Sequence, residues 1–102
     1  MNATINPGQT VALKAIYVDT MSDGTTQTRD AADATWSDDN PAAATGDVTT
    51  GPVETVAAVA VGTANFTAAG LDTLGNPISS APFEIDVVAP TVTSTTIEVQ
   101  PA

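Results

Sequence analysis

The chain has 102 residues, of which 42% are hydrophobic and 4% aromatic, and its 12 acidic and 2 basic residues give a net charge of −10. A single domain of this length buries roughly two thirds of its unfolded surface, which suffices for one small core. We expect no nucleic-acid and no membrane partner, because binding to phosphates requires clustered Lys and Arg. The sequence contains no cysteine or histidine, which excludes disulfides, thiol and imidazole nucleophiles and the usual zinc ligands.

The first part of the chain predicts two strands separated by a polar loop. Its opening residues, MNATINPGQ, contain neither the basic nor the apolar region of a secretion signal. Residues 10–18, TVALKAIYV, alternate between two faces, as expected for a half-buried strand. The polar residues 19–30 predict a loop. Residues 34–37 predict a short strand that carries Trp36 and ends in an Asp-Asp-Asn-Pro turn.

The middle of the chain predicts further strands. Residues 53–61, VETVAAVAV, could be helical by alanine content, but their valines and the flanking glycines favour a buried strand. Residues 62–70 form a strand pattern with one apolar face, and residues 71–80 predict a turn-rich connection through Gly-Asn-Pro.

The last predicted strand of the domain is residues 81–89, and Pro90 ends it. In all, the chain predicts about seven short strands without a convincing helix. This pattern indicates an all-β fold, an antiparallel β-sandwich, with a small barrel as the alternative. The side chains expected in the core are Leu13, Ala15, Trp36, Phe66, Phe83, Ile85 and Val87.

Few residues are candidates for chemistry. Trp36 could stack on a sugar, but its place in an alternating strand and the scarcity of other aromatics favour the core. Asp38 and Asp39, with Asp30 and Asp33 nearby, could bind calcium; the ligand spacing of an EF-hand is absent, and a solvated acidic loop is favoured. No carboxylate pair in a pocket is indicated, so we expect no enzyme, no catalytic residue and no cofactor.

Four motifs in this order resemble the bacterial immunoglobulin-like domains of group 2. They are GQTVALKA from residue 8, ATWSDDNPAAAT from residue 34, VGTANFTA from residue 61 and FEIDVVAP from residue 83. This family occurs in intimin- and invasin-type adhesins and in phage tail and capsid-surface proteins. The resemblance implies an immunoglobulin-like sandwich over residues 1–90, in which Trp36 fills the space between the sheets without a disulfide. Residues 46–59 depart from the family, because they are longer than its usual pattern.

The C-terminal segment, residues 91–102, resembles the first strand of that family in a displaced position. In the family, a strand similar to IeVtPa precedes the turn that corresponds to NPGQT, whereas here TSTTIEVQPA follows the last strand. The resemblance implies that this strand completes a neighbouring subunit by exchange. The residues of this assembly strand are Thr96, Ile97, Glu98 and Val99.

Two other interpretations of this segment stay open: it begins the next repeat of a longer polypeptide, or it is loose or docked on its own domain. Self-insertion in the family orientation is strained, because residues 90–94 reach ~17 Å while the return path is ~23 Å.

The resemblance implies a virion surface protein, a capsid decoration or tail protein whose partners are identical subunits or other capsid and tail proteins. The alternative is one repeat of a secreted adhesin or stalk at the bacterial cell surface. A reading frame that continues into another GQT…W…GTA cycle would indicate the adhesin, and a stop codon would indicate the assembly protein.

Overall fold

The computed structural model describes all residues, Met1–Ala102, and contains ten strands and no helix. The strands are β1 (Asn2–Ile5), β2 (Thr10–Lys14), β3 (Ile16–Thr20), β4 (Thr26–Asp30), β5 (Thr35–Asp38), β6 (Ala44–Gly46), β7 (Val53–Ala58), β8 (Gly62–Leu71), β9 (Pro77–Ser79) and β10 (Phe83–Val87). The predicted all-β sandwich is confirmed.

The strands form two facing layers. The first layer is a sheet with the strand order β1-β10-β8-β5, in which β9 also pairs with β8. The second layer contains the sheet β2-β7-β6 and the hairpin β3-β4. All pairs are antiparallel except β1 and β10, which run parallel with Asn2 opposite Glu84 and Ile5 opposite Val87.

Small and β-branched side chains fill the space between the layers. Phe66 of β8 and Ile85 of β10 meet Val56 of β7 and Leu13 of β2, and buried alanines occupy the gaps between them. Alternation explains which residues point inward, since every second residue of β7 is buried. Valine-rich β7 is a strand, in agreement with its predicted preference over a helix.

One charged residue lies inside this core. Glu54 is 2% exposed, and its Oε1 accepts hydrogen bonds from the backbone N–H groups of Asp47 and Val48, each at 2.9 Å. The carboxylate packs against Gly46, where a Cβ atom would lie 2.8 Å from Oε1. The turn between β6 and β7 is therefore organised by the buried Glu54 side chain, which occupies the space that a Cβ atom at residue 46 would need.

The structure corrects several sequence-based predictions. The predicted loop of residues 19–30 is wrong over β4, which pairs with β3 across a turn in which Gly24 has φ of 87°. All five residues of β4 are exposed, so the strand has no apolar face for periodicity to detect. Ala15 divides the single predicted strand of residues 10–18 into β2 and β3. With this division, with β4 and with the short strands β1, β6 and β9, the structure has ten strands where about seven are predicted.

Candidate assembly site: an open seam and an unpaired C-terminal segment

Strands β2 and β3 are paired along only one of their two edges. Ala15, which lies between them, donates its N–H to the carbonyl of Pro52 at 2.7 Å and accepts a hydrogen bond from the N–H of Ala31 at 3.1 Å. The N–H and C=O groups of one extended residue point to the same side. Strands β7 and β4 therefore lie along the same edge of β2 and β3.

The ends of β2 and β3 show the same alternation. The carbonyl of Gln9 accepts from Ala58, and Met21 donates to Thr25, so the odd-numbered residues bond to β7 and β4. The even-numbered residues within 12–18 direct their backbone groups to the opposite edge, where no strand pairs with them. This open edge is a template on which another strand can pair.

An apolar groove, which we call the seam, lies beside the open edge between the two layers. Its volume is 710 Å³, and 15 of its 21 lining residues are hydrophobic. Residues 13–19 of β2 and β3 form one wall, and residues 78–81 with Phe83 form the other. Met1 also lines the seam, and its carbonyl accepts a hydrogen bond from the N–H of Glu84 at 3.2 Å. The seam is suited to an extended, apolar occupant.

Tyr17 spans the floor of the seam from β3 to β8. Its hydroxyl donates to Asp33 at 2.6 Å and accepts from the N–H of Leu71 at 3.3 Å, while the guanidinium of Arg29 lies 4.3 Å from the ring centroid. The hydrogen bond to Asp33 raises the pKa of Tyr17. The hydroxyl packs directly on Gly70, where a Cβ atom would overlap it. Tyr17 thus connects the two layers at the floor of the seam, although the edge of β2 and β3 beside it is unpaired.

The predicted core residues divide into two groups. Leu13, Phe66, Ile85 and Val87 are buried in the structure, whereas Ala15, Trp36 and Phe83 are half-buried. These three half-buried residues all line the seam. Trp36 also donates its indole N–H to the carbonyl of Gly51 at 2.8 Å. It is therefore a partly buried residue that is fixed by a hydrogen bond and lines one side of the open groove.

The charged groups near the seam are held by local partners. Lys14 Nζ lies 3.1 Å from Asp30, and Arg29 Nε donates to Asp19 at 2.8 Å. Asp72 accepts hydrogen bonds from the backbone of Asn76 and Leu74, which lower its pKa. Each of these charged groups is therefore paired with a residue of its own layer or loop.

The carboxylates considered as calcium ligands do not come together. Asp30 pairs with Lys14, Asp33 accepts a hydrogen bond from the Tyr17 hydroxyl, and Asp39 accepts hydrogen bonds from the backbone and side chain of Asn65, which lower its pKa. The structure contains no group of three or more acidic side chains that could hold a metal ion.

The C-terminal segment forms no strand and every residue in it is exposed. Ile97 and Val99 are 96% and 101% exposed, and Thr96 and Glu98 between them are exposed as well. The radius of gyration is 18.8 Å, whereas a compact domain of this length has ~13 Å. The segment therefore extends away from the sandwich and leaves its alternating apolar side chains without a partner.

The chain enters β1 at one end of the ladder that β1 forms with β10, and it leaves β10 at the other end. Met1 lies beside Glu84 at the start of β10, and Val88 donates its N–H to Ile5 at 2.9 Å at the other end. A short strand, β1, precedes the NPGQT turn, in addition to the displaced strand-like segment at the C-terminus. It pairs with β10, however, so the open edge of β2 and β3 stays unpaired.

Sequence reasoning missed the edge residues of the site. Ile16 and Val18 are 49% and 58% exposed on the open edge, and Ile78 on the facing wall is 42% exposed. The alternation of residues 10–18 indicates that the side chains of Ile16 and Val18 point outward. It does not indicate which strand edge is unpaired, because that depends on the pairing of strands that are distant in the sequence.

Comparisons with protein-family models, with curated proteins and with solved structures find no match for this chain. The resemblance to the group 2 bacterial immunoglobulin-like domains therefore stays a prediction from its motifs. The structure contains no helix with the length and hydropathy needed to cross a membrane.

Proposed function

We propose that this protein is a non-enzymatic structural module that docks on neighbouring protein subunits through the open edge and the seam. The observation that carries the proposal is the combination of an unpaired strand edge with an apolar groove directly beside it. Backbone groups of an incoming strand would bond to the edge, and its alternate side chains would enter the groove. Such a site recognises extended protein chain.

The composition of the surface supports a protein partner. A net charge of −10 opposes binding to nucleic acid and to anionic lipid, and it keeps copies apart unless a defined contact overcomes their repulsion. Most of the residues that line the seam are hydrophobic and supply contact area, and no group of three or more acidic side chains comes together there. These properties favour an assembly role over catalysis.

The class of assembly that we propose first is the surface of a phage virion, as a capsid decoration or tail protein. The strand order supports an immunoglobulin-like arrangement, since the parallel pairing of the first strand with the last accompanies two antiparallel sheets. Fold likeness alone does not determine function. The proposal depends on the open seam and on the motifs that resemble virion surface domains.

A repeat of a bacterial adhesin or surface stalk is the second candidate. The specific observation in its favour is that the C-terminal segment leaves the domain from the end of the ladder opposite to Met1. In a covalent array, this segment would form the first strand of the next repeat. Both candidates use the same seam, and they differ in whether its occupant belongs to the same polypeptide.

Location in the producing cell separates the candidates. An antibody against the domain should label particles that band in a density gradient after cell lysis, while intact cells should stay unlabelled. Labelling of intact cells that external protease removes would support the adhesin instead. Recovery of the protein exclusively as free monomer, in neither fraction, would contradict both assembly roles.

A further inference from the structure

We propose that the occupant of the seam is the C-terminal segment of a second copy of this chain, so that copies join head to tail by strand exchange. This inference rests on the proposed docking function and names its partner. Each copy presents one open edge and one unpaired strand-like segment. An interface in which one copy donates and the next accepts leaves a free site at each end, so it propagates as a fibre or closes as a ring.

The direction of the incoming strand follows from β1. That strand runs from Met1, at the seam, towards Ile5, and β2 then returns in the opposite direction after the turn. A donated strand antiparallel to β2 and β3 therefore runs in the same direction as β1. Ala102 of the donor arrives beside Met1 of the acceptor, so the donated strand continues the line of β1 along the edge of the sandwich.

The lengths of donor and acceptor agree. The wall formed by β2 and β3 comprises residues 13–19, and the donor residues 95–101 are equal in number. Each stretch spans ~23 Å in extended form, at ~3.3 Å per residue. With Thr95 opposite Asp19, the donated strand covers the wall as far as Leu13, and Ala102 follows beside Met1.

The side chains of the segment match the two environments that the seam offers. Ile97 and Val99 lie on one face of an extended strand, and Thr96 and Glu98 lie on the other. The apolar pair faces the groove between the layers, where Ala15, Trp36 and Phe83 are half-buried. The polar pair faces solvent.

Insertion of this strand into the seam of its own chain, in the same direction, is strained. Val88 lies beside Ile5, near the start of β2, whereas the inserted strand has to begin beside Asp19. That distance is ~30 Å along the strands at ~3.3 Å per residue. Residues 88–94 reach ~25 Å even when fully extended over a straight path, so donation to another copy avoids a strained connection.

The first test measures the mass of the full chain as a function of concentration by light scattering. We expect mass to rise with concentration, and Ile97→Asp to weaken association by about 100-fold or more, because it would bury an unpaired charge. Val92→Asp is the matched control: Val92 is 83% exposed in the same segment but precedes the donated strand. A full chain that stays monomeric at all concentrations, or a Val92→Asp variant that is impaired as much as Ile97→Asp, would overturn the proposal.

The second test moves the donor strand within one chain. Residues 93–102 are placed before Asn2, and the permuted chain ends at Val92. The strand then reaches the seam of its own domain, so we expect a monomer that melts at a higher temperature than the same chain without residues 93–102. The control carries Ile97→Asp and Val99→Asp, which should remove the gain. An equal melting temperature with and without the strand would contradict its fit to the seam.

The outcomes distinguish this inference from the function on which it rests. If the protein is found in particles but neither tail variants nor permutation has an effect, the seam binds a strand from another protein, and self-exchange is wrong. Val18→Pro adds a direct test of the edge, because it removes an N–H that points to the open side while the odd-numbered bonds to β4 remain. We expect it to block association like Ile97→Asp; undiminished association would overturn pairing at this edge.

Discussion

The half of the sandwich around β7 and β10 is closed, whereas the half around β3, β5 and β9 is open at the seam. In the closed half, Val56 and Ile85 are completely buried and contact residues from both layers. At the seam, a smaller cluster of buried residues centres on Tyr17, and most of the surrounding hydrophobic residues are half-buried or exposed. One domain thus contains a fully buried core in one half and a core region that is open to solvent along the seam in the other half.

The difference shows how missing backbone pairing affects side-chain burial. A strand in a sandwich contributes side chains to the core and also shields the edge of its neighbour. Without a strand on the open edge, Trp36 and Phe83 keep the inward orientation of core residues but remain partly in contact with solvent. The seam therefore combines the composition of a core with the exposure of a binding site.

The largest contrast between the two halves is expected for isoleucine truncation. Ile85→Ala in the closed half should lower the free energy of unfolding by about 4 kcal/mol, because it removes buried methyl groups and leaves a cavity. Ile78→Ala on the seam wall should lower it by less than about 1 kcal/mol, because Ile78 is 42% exposed. Urea titrations of both variants measure the difference. Equal losses would mean that the two halves are equally closed.

Trp36→Ala should have an intermediate effect. We expect a loss of about 2–3 kcal/mol, less than the usual loss for a fully buried tryptophan, since one side of the ring faces the seam. The hydrogen bond from its indole to Gly51 is lost as well. The unfolding free energy should be measured at a concentration where the wild type is monomeric. A loss that equals that of Ile85→Ala would place Trp36 in the closed half.

The sequence predicts much of the closed half because its signals are local. The alternation around Phe66 and the apolar face with Ile85 and Val87 specify which side of each strand is buried. The valines of β7 favour a strand over a helix for the same local reason, their branching at Cβ. These features need no knowledge of which strands are neighbours.

The open half is less predictable, since its properties depend on topology and on pairs of distant residues. Strand β4 is polar throughout and is held by backbone pairing to β3, so it was predicted as loop. Tyr17 lies on a predicted inner face, but its hydrogen bond to Asp33 and its contact with Gly70 follow from the packing of β3 on β8. The resemblance of the C-terminal segment to a first strand is visible in the sequence, while the groove that could receive this segment forms only in the folded chain.

The smallest expected effect is a difference in pH dependence between the two halves. Burial raises the pKa of Glu54 in the closed half, where Asp47, its charged neighbour, has a lowered pKa because the N–H of Thr55 bonds to its carboxylate. The fold thus favours neutral Glu54, and this contribution is present at low pH and lost as pH rises through the raised pKa. Glu54→Gln should therefore match the wild type at acidic pH and become relatively more stable by about 1 kcal/mol towards neutrality.

Asp72, at the seam, provides a control of opposite sign. Backbone N–H groups of Asn76 and Leu74 lower the pKa of Asp72, so its contribution is present at neutral pH and lost as pH falls through the lowered pKa. Asp72→Asn should be less stable than the wild type at neutral pH and approach it on acidification. Thermal melts between acidic and neutral pH compare both variants with the wild type. Parallel profiles for Glu54→Gln and the wild type would show that solvent reaches the Glu54 carboxylate, and the half of the sandwich around β7 would then be less closed than its packing indicates.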